Sequence, residues 1–333
     1  MTDHDRHPSG EDSLIARYFK PLATDPGAFG LTDDAAVLKA GDQDLVVKTD
    51  AIIEGVHFLP DDPPDTIGRK ALRVNLSDLA SKGATPAGFV LTLALREADH
   101  GWLAPFARGL GEDADLFGCP LLGGDTVSTP GPLMISIAAF GLVPAGKIVH
   151  RSGAQPGDRI VVTGTIGDAR LGLDILKGGA VAAALADNAA ARDMLVGRYR
   201  VPQPRSAIAQ AVRDHANASM DVSDGLAGDL AKLCVASGVT AVIDAPSIPL
   251  SGSAASLVAS GVVGIEALVS GGDDYELLCA IPENHFDAFA KAADLARVAV
   301  SPIGTIIAGT SAPKFLDEQG RVMPLPRLSY SHF

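Results

Sequence analysis

Apolar and polar residues alternate in blocks along the N-terminal half of the chain, first with strand spacing and then with helix spacing. LVVKTD (45–50) and FVLTLAL (89–95) are short apolar runs of the kind that form buried strands. Between them, residues 65–83 place leucines at i, i+4 and i+7 from Leu72, which is the spacing of one helix face. An aspartate at the start of this range and a glycine at its end are typical caps, so we expect a helix over the whole of it.

The remaining apolar runs extend this pattern over the rest of the chain. Periodicity predicts helices near residues 13–19, 102–117 and 228–238, and strands at 120–126, 132–143, 159–164, 240–244 and within 267–281. Strands that alternate with helices predict an α/β (α+β) fold with mixed sheets. The loop-like segment 144–157 shows neither period, so we expect two domains, over residues 1–148 and 149–333.

Composition and charge exclude several classes of protein. The chain has 333 residues, enough for two domains, and no apolar run reaches the roughly eighteen residues of a membrane span. A formal net charge of −13 argues against a nucleic-acid-binding surface and suits sites that gather metal cations. Three widely spaced cysteines suit buried free thiols, and the polar N-terminus lacks a secretory signal, so we expect a cytoplasmic protein.

Aspartates accumulate at the ends of the apolar runs. They are Asp33, Asp34, Asp50, Asp78, Asp125, Asp221, Asp224, Asp273 and Asp274. Each alone is more often a turn or cap residue, but several have oxygen ligands or glycines beside them, such as Thr49, Ser223 and the Gly-Gly pairs that end an apolar run in each half. Oxygen ligands with few His or Cys nearby select Mg²⁺, Mn²⁺ or Ca²⁺. So many carboxylates indicate nucleotide phosphates bridged by several Mg²⁺ ions.

Four of the candidate residues have two interpretations each. Asp33 and Asp34, in FGLTDDAAVL, suit an exposed turn as well as a metal site. His57, in EGVHF, is as readily a structural histidine as one that binds a ligand. Arg151, in the segment between the domains, is suited to clamp a phosphate, although its position slightly favours a solvated loop arginine.

A series of motifs, in order, resembles the thiamine-monophosphate kinase family. The motifs are TDDAAVL, TDAIIEGVHF, RVNLSDLASKGATP, LLGGDT, HRSGAQPGD, VTGTIGDARLGL, SMDVSDGL, SGGDDYEL and YSHF. The family belongs to a superfamily with aminoimidazole ribonucleotide synthetase, selenophosphate synthetase and the hydrogenase-maturation carbamoyl dehydratase. NLSDLA and GGDT recur across that superfamily, whereas EGVHF, SGGDDYEL and YSHF resemble the kinases more specifically. The resemblance extends from about Ser13 to Phe333.

The resemblance implies ATP-dependent phosphorylation of thiamine phosphate by a homodimer that is joined through its N-terminal domains. The residues implied to hold magnesium are Asp34, Thr49, Asp50, Asp78, Asp125, Asp221 and Asp224, and we include Asp33 as the neighbour of Asp34. Those implied to contact ATP are Gly123, Gly124, Asp125, Arg151 and Ser223. Those implied to contact thiamine phosphate are His57, Asp273 and Tyr330.

The chain departs from the family pattern at three positions. Thr32 stands where the family usually has glycine, which could alter the turn before the acid pair. Lys48 stands where the family often has serine or threonine, and an ammonium cannot replace a hydroxyl as a metal ligand. Asp273 replaces a glutamate and is one methylene shorter, so a direct substrate contact there would lengthen or need water.

The implied reaction needs no general base. A phosphate monoester has a second pKa of about 6, so the acceptor is largely ionised at neutral pH. We therefore expect no catalytic acid–base residue, and we expect the acids to serve as a metal scaffold between two polyanions. Two alternatives remain open: another reaction of the superfamily, such as that of aminoimidazole ribonucleotide synthetase, and a non-catalytic sensor of ATP and Mg²⁺.

Overall fold

The structure, a computed structural model, describes residues 26–325, and these form an α/β fold with two mixed sheets, as the sequence predicts. The helix expected near residues 13–19 and the C-terminal Tyr330 lie outside this range. Strands β1 to β11 are Ala36–Ala40, Gln43–Ile53, Thr85–Leu95, Leu121–Ser128, Met134–Pro144, Arg159–Thr163, Ala218–Asp221, Thr240–Asp244, Leu277–Ile281, Val300–Ile307 and Lys314–Leu316. Helices α1 to α10 are Pro64–Ser81, His100–Phe117, Asp168–Leu176, Ala180–Ala184, Ala189–Arg200, Ala209–His215, Leu226–Ser237, Gly252–Ala259, Ile265–Val269 and Phe286–Leu295. No helix between residues 26 and 325 is long and apolar enough to span a membrane.

The first sheet has the strand order β1–β2–β5–β3–β4. Strands β3 and β4 run parallel, and the other neighbours run antiparallel. Helix α1 packs against β2 and β5, and α2 packs against α1. Ile52, Leu76 and Phe89 are buried in the core between these layers. One face of the sheet is therefore covered by helices.

Helix α1 confirms the predicted helix, but Asp65 is not its N-cap. Pro64 is its first residue, after Pro63, because the fixed φ of proline suits the first helical position. Asp65 therefore lies inside the first turn, where its charge still favours the helix N-terminus. The helix ends at Ser81, before Gly83, whose φ of +70° suits glycine.

The second sheet has the strand order β11–β8–β10–β6–β9–β7 and is buried on both faces. Ile160 and Val162 of β6 pack into the same core as Leu230 of α7. Val161 packs into the core on the other side, with Phe289 of α10. Burial on both faces explains why this strand is a continuous apolar run rather than an alternating one.

Helix α1 also contacts the second half of the chain. The Arg73 guanidinium donates to the Pro202 carbonyl at 2.9 Å, and Lys82 Nζ donates to the Ser219 carbonyl at 2.8 Å. No helix or strand occurs between residues 145 and 158, which connect the two sheets. The C-terminal part of α1 is thus the place where polar residues of both halves meet.

The apolar runs before the two Gly-Gly pairs do not both form strands. Strand β4 continues through residues 123–125 to Ser128. Residues 271–274 form a loop that follows helix α9 and precedes β9. The apolar residues before the second Gly-Gly pair belong to a helix, because a short apolar run suits either element.

Candidate metal and phosphate site

Strand β2 and helix α1 bring one lysine and two aspartates together. Side chains alternate along a strand, so Lys48 and Asp50 point to the same side as the buried Val46 and Ile52, toward α1. Lys48 Nζ lies 3.1 Å from Oδ1 of Asp50 and 2.9 Å from Oδ2 of Asp78. Burial alone would lower the pKa of Lys48, but the charges of Asp78 and Asp50 raise it above its usual range. The lysine is therefore a fixed positive charge between a strand acid and a helix acid.

A third carboxylate, Asp221, reaches this site from the end of β7. Burial raises the pKa of Asp221 to about 6, against the opposing effects of the Ser77 hydrogen bond and Lys48. Burial and the charge of Asp221 also raise the pKa of Asp78 well above its usual range. Oδ2 of Asp221 is buried without a hydrogen-bond partner among residues 26–325. This group, which we call the Lys48 cluster (Lys48, Asp50, Asp78 and Asp221), therefore holds buried negative charge that its own lysine does not balance.

A second group of charges lies about one helical turn beyond Asp78, where Lys82 follows the last residue of α1. Lys82 Nζ is 3.1 Å from Oδ1 of Asp33 and 2.8 Å from Oδ2 of Asp34. Arg151 forms an ion pair with Asp34, and its main-chain N–H donates to Oδ2 of Asp33 at 3.0 Å. Burial raises the pKa of Asp33, but the His150 hydrogen bond and the Lys82 charge outweigh it and hold the pKa well below its usual range. The acid pair is thus attached to both α1 and the connecting segment.

Burial decides two of the alternatives that the sequence leaves open. The side chains of Asp33 and Asp34 are only 4% and 7% exposed, so they do not form an exposed turn. The interpretation of Arg151 as a solvated loop arginine is also wrong, because its side chain is 19% exposed and paired with Asp34. Both outcomes follow from contacts between segments more than a hundred residues apart, which no local pattern reveals.

The loop of residues 221–224 is paired with the loop of residues 273–275. The Asp273 N–H donates to the Ser223 carbonyl at 2.8 Å, and the Tyr275 N–H donates to the Val222 carbonyl at 2.8 Å. Asp273 and Tyr275 have φ values of 72° and 51°, which are uncommon for residues other than glycine and recur at functional sites. Burial, and after it the charge of Asp273, raises the pKa of Tyr275 well above its usual range. The Tyr275 side chain is therefore packed in the core of the first half and lies near several acidic groups.

Asp224 is neutralised by a lysine of helix α7. Lys232 Nζ lies 2.5 Å from Oδ2 of Asp224 and 3.1 Å from Oδ1 of Asp229. Oδ2 of Asp229 accepts the N–H groups of Ser223 and Asp224 at 3.0 and 2.9 Å. Asp229, which the motif analysis did not single out, thus fixes the conformation of the D-x-S-D-G loop.

Two of the predicted substrate residues, His57 and Asp273, flank a buried lysine. Lys70 Nζ donates to the His57 carbonyl at 2.8 Å and lies 3.4 Å from Oδ1 of Asp273. The same ammonium stands 3.8 Å from the centre of the Tyr199 ring. Burial lowers the pKa of Lys70, and Asp273 opposes that effect. The structure therefore brings His57 and Asp273 to one place, although they are far apart in sequence.

The Gly-Gly-Asp segment of β4 lies apart from the Lys48 cluster within one chain. Asp125 is paired with Thr92 of β3, Thr92 with Ser136 of β5, and Ser136 with Ala51 of β2. Asp125 is therefore three strand spacings, roughly 14 Å, from β2. Alternation places Ala51 and Thr49 on the face of β2 that points away from α1. Two of the predicted metal ligands, Thr49 and Asp125, thus lie on that other face.

Within residues 26–325, no group of three or more His, Cys, Asp and Glu side chains is arranged to hold a metal ion by itself. The acids stand instead around the ammonium groups of Lys48, Lys82 and Lys232. Magnesium in proteins commonly uses one or two carboxylates and takes its other ligands from water or phosphate. A divalent ion at this site would therefore need ligands from outside the chain.

Sequence reasoning missed four buried residues of the site: Lys70, Lys82, Asp229 and Tyr275. Lys82 had a usable signal, because it follows Leu79 by three residues and so continues the apolar stripe one residue past the end of α1, where a buried charge requires a partner. Lys70 and Tyr275 had no such signal. Their partners come from other elements, which the sequence alone does not bring together.

Two family models match the chain, one in each half. The AIR synthase related protein, N-terminal domain, matches residues 32–143. The AIR synthase related protein, C-terminal domain, matches residues 155–313.

Among proteins of known name, the chain is similar to thiamine-monophosphate kinases over nearly its whole length. It is 44% identical to that of Caulobacter vibrioides over 331 residues, which is 98% of this chain and 91% of the relative. It is 39% identical to that of Escherichia coli strain K12 over 327 residues, covering 97% of this chain and 98% of the relative.

Solved structures show the same similarity. AaThiL complexed with AMPPCP and TMP matches with a TM-score of 0.79 and 29% identity, over 92% of this chain and 97% of the other. The thiamine-monophosphate kinase of Stenotrophomonas maltophilia K279a matches with a TM-score of 0.77 and 36% identity, over 95% and 98%. Escherichia coli HypE, at 21% identity and a TM-score of 0.69, shares the fold.

Proposed function

This chain belongs to the thiamine-monophosphate kinase family of AIR synthase related proteins, and we propose that it transfers the γ-phosphoryl group of ATP to thiamine monophosphate, giving thiamine diphosphate and ADP. Relatives of that name match nearly the full length of both chains. A related structure that contains AMPPCP and TMP supports both co-substrates.

The observation that carries the proposal is the Lys48 cluster. Three acids from a strand, a helix and the other half of the chain meet there, and one of them has a buried oxygen without a hydrogen-bond partner among the described residues. Carboxylate oxygens in excess of the available cations fit Mg²⁺. The remaining ligands would come from phosphate oxygens, since the described acids do not form a complete cage.

We assign the site residues as follows. The residues that would hold magnesium are Asp33, Asp34, Thr49, Asp50, Asp78, Asp125, Asp221 and Asp224. Those that would contact ATP are Gly123, Gly124, Asp125, Arg151 and Ser223. Those that would contact thiamine monophosphate are His57, Asp273 and Tyr330. His57 and Asp273 are both close to Lys70, which supports a common role for the two.

The residues of this chain position two polyanions and need not transfer a proton. The acceptor phosphate, with a second pKa of about 6, is its own nucleophile at neutral pH. Bound Mg²⁺ would supply charge neutralisation of the phosphates. Asp50, Asp78 and Asp221 would hold that charge at the junction of the two halves, while Arg151 would add donors for phosphate oxygens.

We propose a homodimer that forms through strand β4. This edge strand is exposed along its whole length, and its Leu121, Leu122 and Val127 are 53%, 62% and 44% exposed. An exposed apolar edge strand is a surface that pairs with another chain. A second chain that pairs with this edge would bring its own residues close to Asp125. In this assignment the domain of residues 1–148 forms the dimer, and the domain of residues 149–333 completes the site.

We also propose that the protein works in the cytoplasm. All three cysteines, Cys119, Cys234 and Cys279, are buried free thiols. Burial raises their pKa values to about 11, 12 and 11, so they are protonated and unreactive at neutral pH. A reducing compartment that supplies ATP suits such a protein.

A coupled ADP-release assay with Mg²⁺ and ATP tests the proposed function. We expect ADP release that depends on thiamine monophosphate and is absent with unphosphorylated thiamine, because the acceptor is a phosphate oxygen. Binding of ATP without ADP release would instead support a sensor. Release of ADP that does not depend on thiamine monophosphate would support another reaction of the superfamily.

Replacing Arg151 by alanine should affect ATP more than the acceptor. Hydrogen bonds to charged groups contribute roughly 1.5–3 kcal/mol, so we expect the KM for ATP to rise by about tenfold or more. The KM for thiamine monophosphate should change little. Steady-state kinetics with each substrate varied in turn give both values, and Arg192→Ala, at an exposed position of α5, is the control. A larger effect on the acceptor KM would assign Arg151 to the acceptor site.

Replacing Tyr330 by alanine should affect the acceptor more than ATP. An aromatic ring packed against the cationic thiazolium contributes roughly 1–2 kcal/mol, so we expect thiamine monophosphate to bind about fivefold to thirtyfold more weakly. Isothermal titration calorimetry with thiamine monophosphate, and separately with a non-hydrolysable ATP analogue, measures both affinities. An unchanged acceptor affinity would remove Tyr330 from the site.

A further inference from the structure

Lys48 has an unusual position for a lysine. It lies within the interior strand β2, on the side that faces α1, and its neighbour across the sheet is the fully buried Ala139. Its side chain is only 15% exposed. A lysine usually extends its ammonium into solvent, whereas this one ends between Asp50 and Asp78, at 3.1 and 2.9 Å. Because strand β2 fixes the position of Lys48, its ammonium stays inside the cluster.

The charges of the cluster leave room for one more cation. With all three carboxylates deprotonated, which is the state that metal ligation requires, the acids and the one ammonium carry a formal charge of −2, and one divalent ion balances it. The buried Oδ2 of Asp221, without a hydrogen-bond partner among the described residues, is a free ligand for such an ion. With a neutral side chain at position 48, the same three acids would carry −3 and would leave the volume of the ammonium empty.

The Lys48 ammonium also differs from the other lysines that bridge two acids. Lys82 bridges two adjacent residues, and Lys232 bridges a helix acid and an acid of the loop directly before that helix. The acids around Lys48 come from β2, α1 and β7, so its charge acts where the two halves of the chain meet. A cation at that point does what a bridging metal ion does: it lets carboxylates from separate elements approach one another.

We propose that Lys48 is a resident cation of the site, whose ammonium takes one of the cation positions among Asp50, Asp78 and Asp221. The cluster consequently binds one divalent ion fewer than it would with a neutral residue at position 48. This inference rests on the metal role assigned to the cluster under the proposed function.

Counting Mn²⁺ bound to the nucleotide-free protein tests this inference. Free Mn²⁺ is measured from its electron paramagnetic resonance signal during a titration of wild type, Lys48→Ser, Lys48→Arg and Lys39→Ser. Lys39 is an exposed lysine of β1 and serves as the matched control. We expect Lys48→Ser to bind one more Mn²⁺ per chain than wild type. Lys48→Arg, which keeps the charge, and Lys39→Ser should both keep the wild-type number.

Thermal unfolding is a second measurement, and it remains informative if Lys48→Ser is much less stable than wild type. In EDTA, Lys48→Ser should melt at a lower temperature than wild type because the carboxylates repel one another, and millimolar Mn²⁺ should restore most of the difference. Lys48→Met should behave in the same way. An unchanged Mn²⁺ number, or a loss of stability that Mn²⁺ does not restore, would overturn the proposal. Neither measurement involves turnover, so an absence of kinase activity would contradict the proposed function without changing these results.

Discussion

Asp221→Asn is expected to lower kcat by at least about a hundredfold, or about 2.7 kcal/mol of transition-state stabilisation. Asp221 is the one acid of the Lys48 cluster that lies in the second sheet. Its Oδ2 is buried without a hydrogen-bond partner among the described residues. Asparagine keeps the shape but removes the charge that binds a cation. The measurement is steady-state turnover at saturating substrates, with Asp193→Asn at an exposed position of α5 as the control. Wild-type turnover in a folded Asp221→Asn protein would remove Asp221 from the metal site.

The same substitution should not reduce stability in the absence of metal. Burial raises the pKa of Asp221 to about 6, above the value near 3.9 of an unfolded chain. A raised carboxyl pKa contributes stability at low pH, and that contribution is lost as the pH rises through about 6. At pH 7.5 in EDTA, Asp221→Asn should therefore melt at or above the wild-type temperature. The difference between the two melting temperatures should be smaller at pH 5. A lower melting temperature at pH 7.5 would mean that the carboxylate is structural.

Glu276→Gln is expected to destabilise the protein by about 3–5 kcal/mol, the usual effect of breaking a buried ion pair. Glu276 is fully buried immediately before β9 and accepts from Arg198 at 2.5 Å, from Nε of Arg205 at 2.6 Å and from the Thr163 hydroxyl at 2.6 Å. Glutamine keeps the volume but leaves two arginines without their shared counter-charge. The loss should appear as a lower midpoint of urea unfolding.

Glu283→Gln is the matched control for that prediction. Glu283 forms an ion pair with Arg159, but its side chain is 64% exposed. Solvent screens such a pair, so its urea midpoint should hardly move. Equal shifts for the two variants would show that burial does not govern the strength of these pairs.

Local patterns predicted most of the strands, but among the helices of the described residues they predicted only α1, α2 and α7. The leucine stripe that begins at Leu72 predicted helix α1, although the helix is buried on all sides from Lys70 to Ser81 and not on one face alone. The run 45–50 gave the centre of β2, although the strand extends to Gln43–Ile53. The Asp65 cap was wrong because the adjacent prolines start the helix earlier.

The candidate site was less accessible to sequence reasoning, because long-range contacts form it. The motifs named the acids, but they did not reveal that Lys48 bridges Asp50 and Asp78 or that Lys82 bridges the acid pair. They also grouped Asp125 with the other acids. Only the register of strands β2, β5, β3 and β4 shows that Asp125 lies apart from the other acids within one chain.

Direct transfer of the γ-phosphoryl group is the central claim, and a single-turnover experiment with [γ-³²P]ATP tests it most directly. The protein, in excess over ATP and with Mg²⁺ and thiamine monophosphate, is quenched at successive times, and the label is followed in product, protein and inorganic phosphate. We predict that all transferred label appears in thiamine diphosphate, at the rate at which ATP disappears, with none on the protein. Label that appears on the protein before the product, or only in inorganic phosphate, would contradict direct transfer.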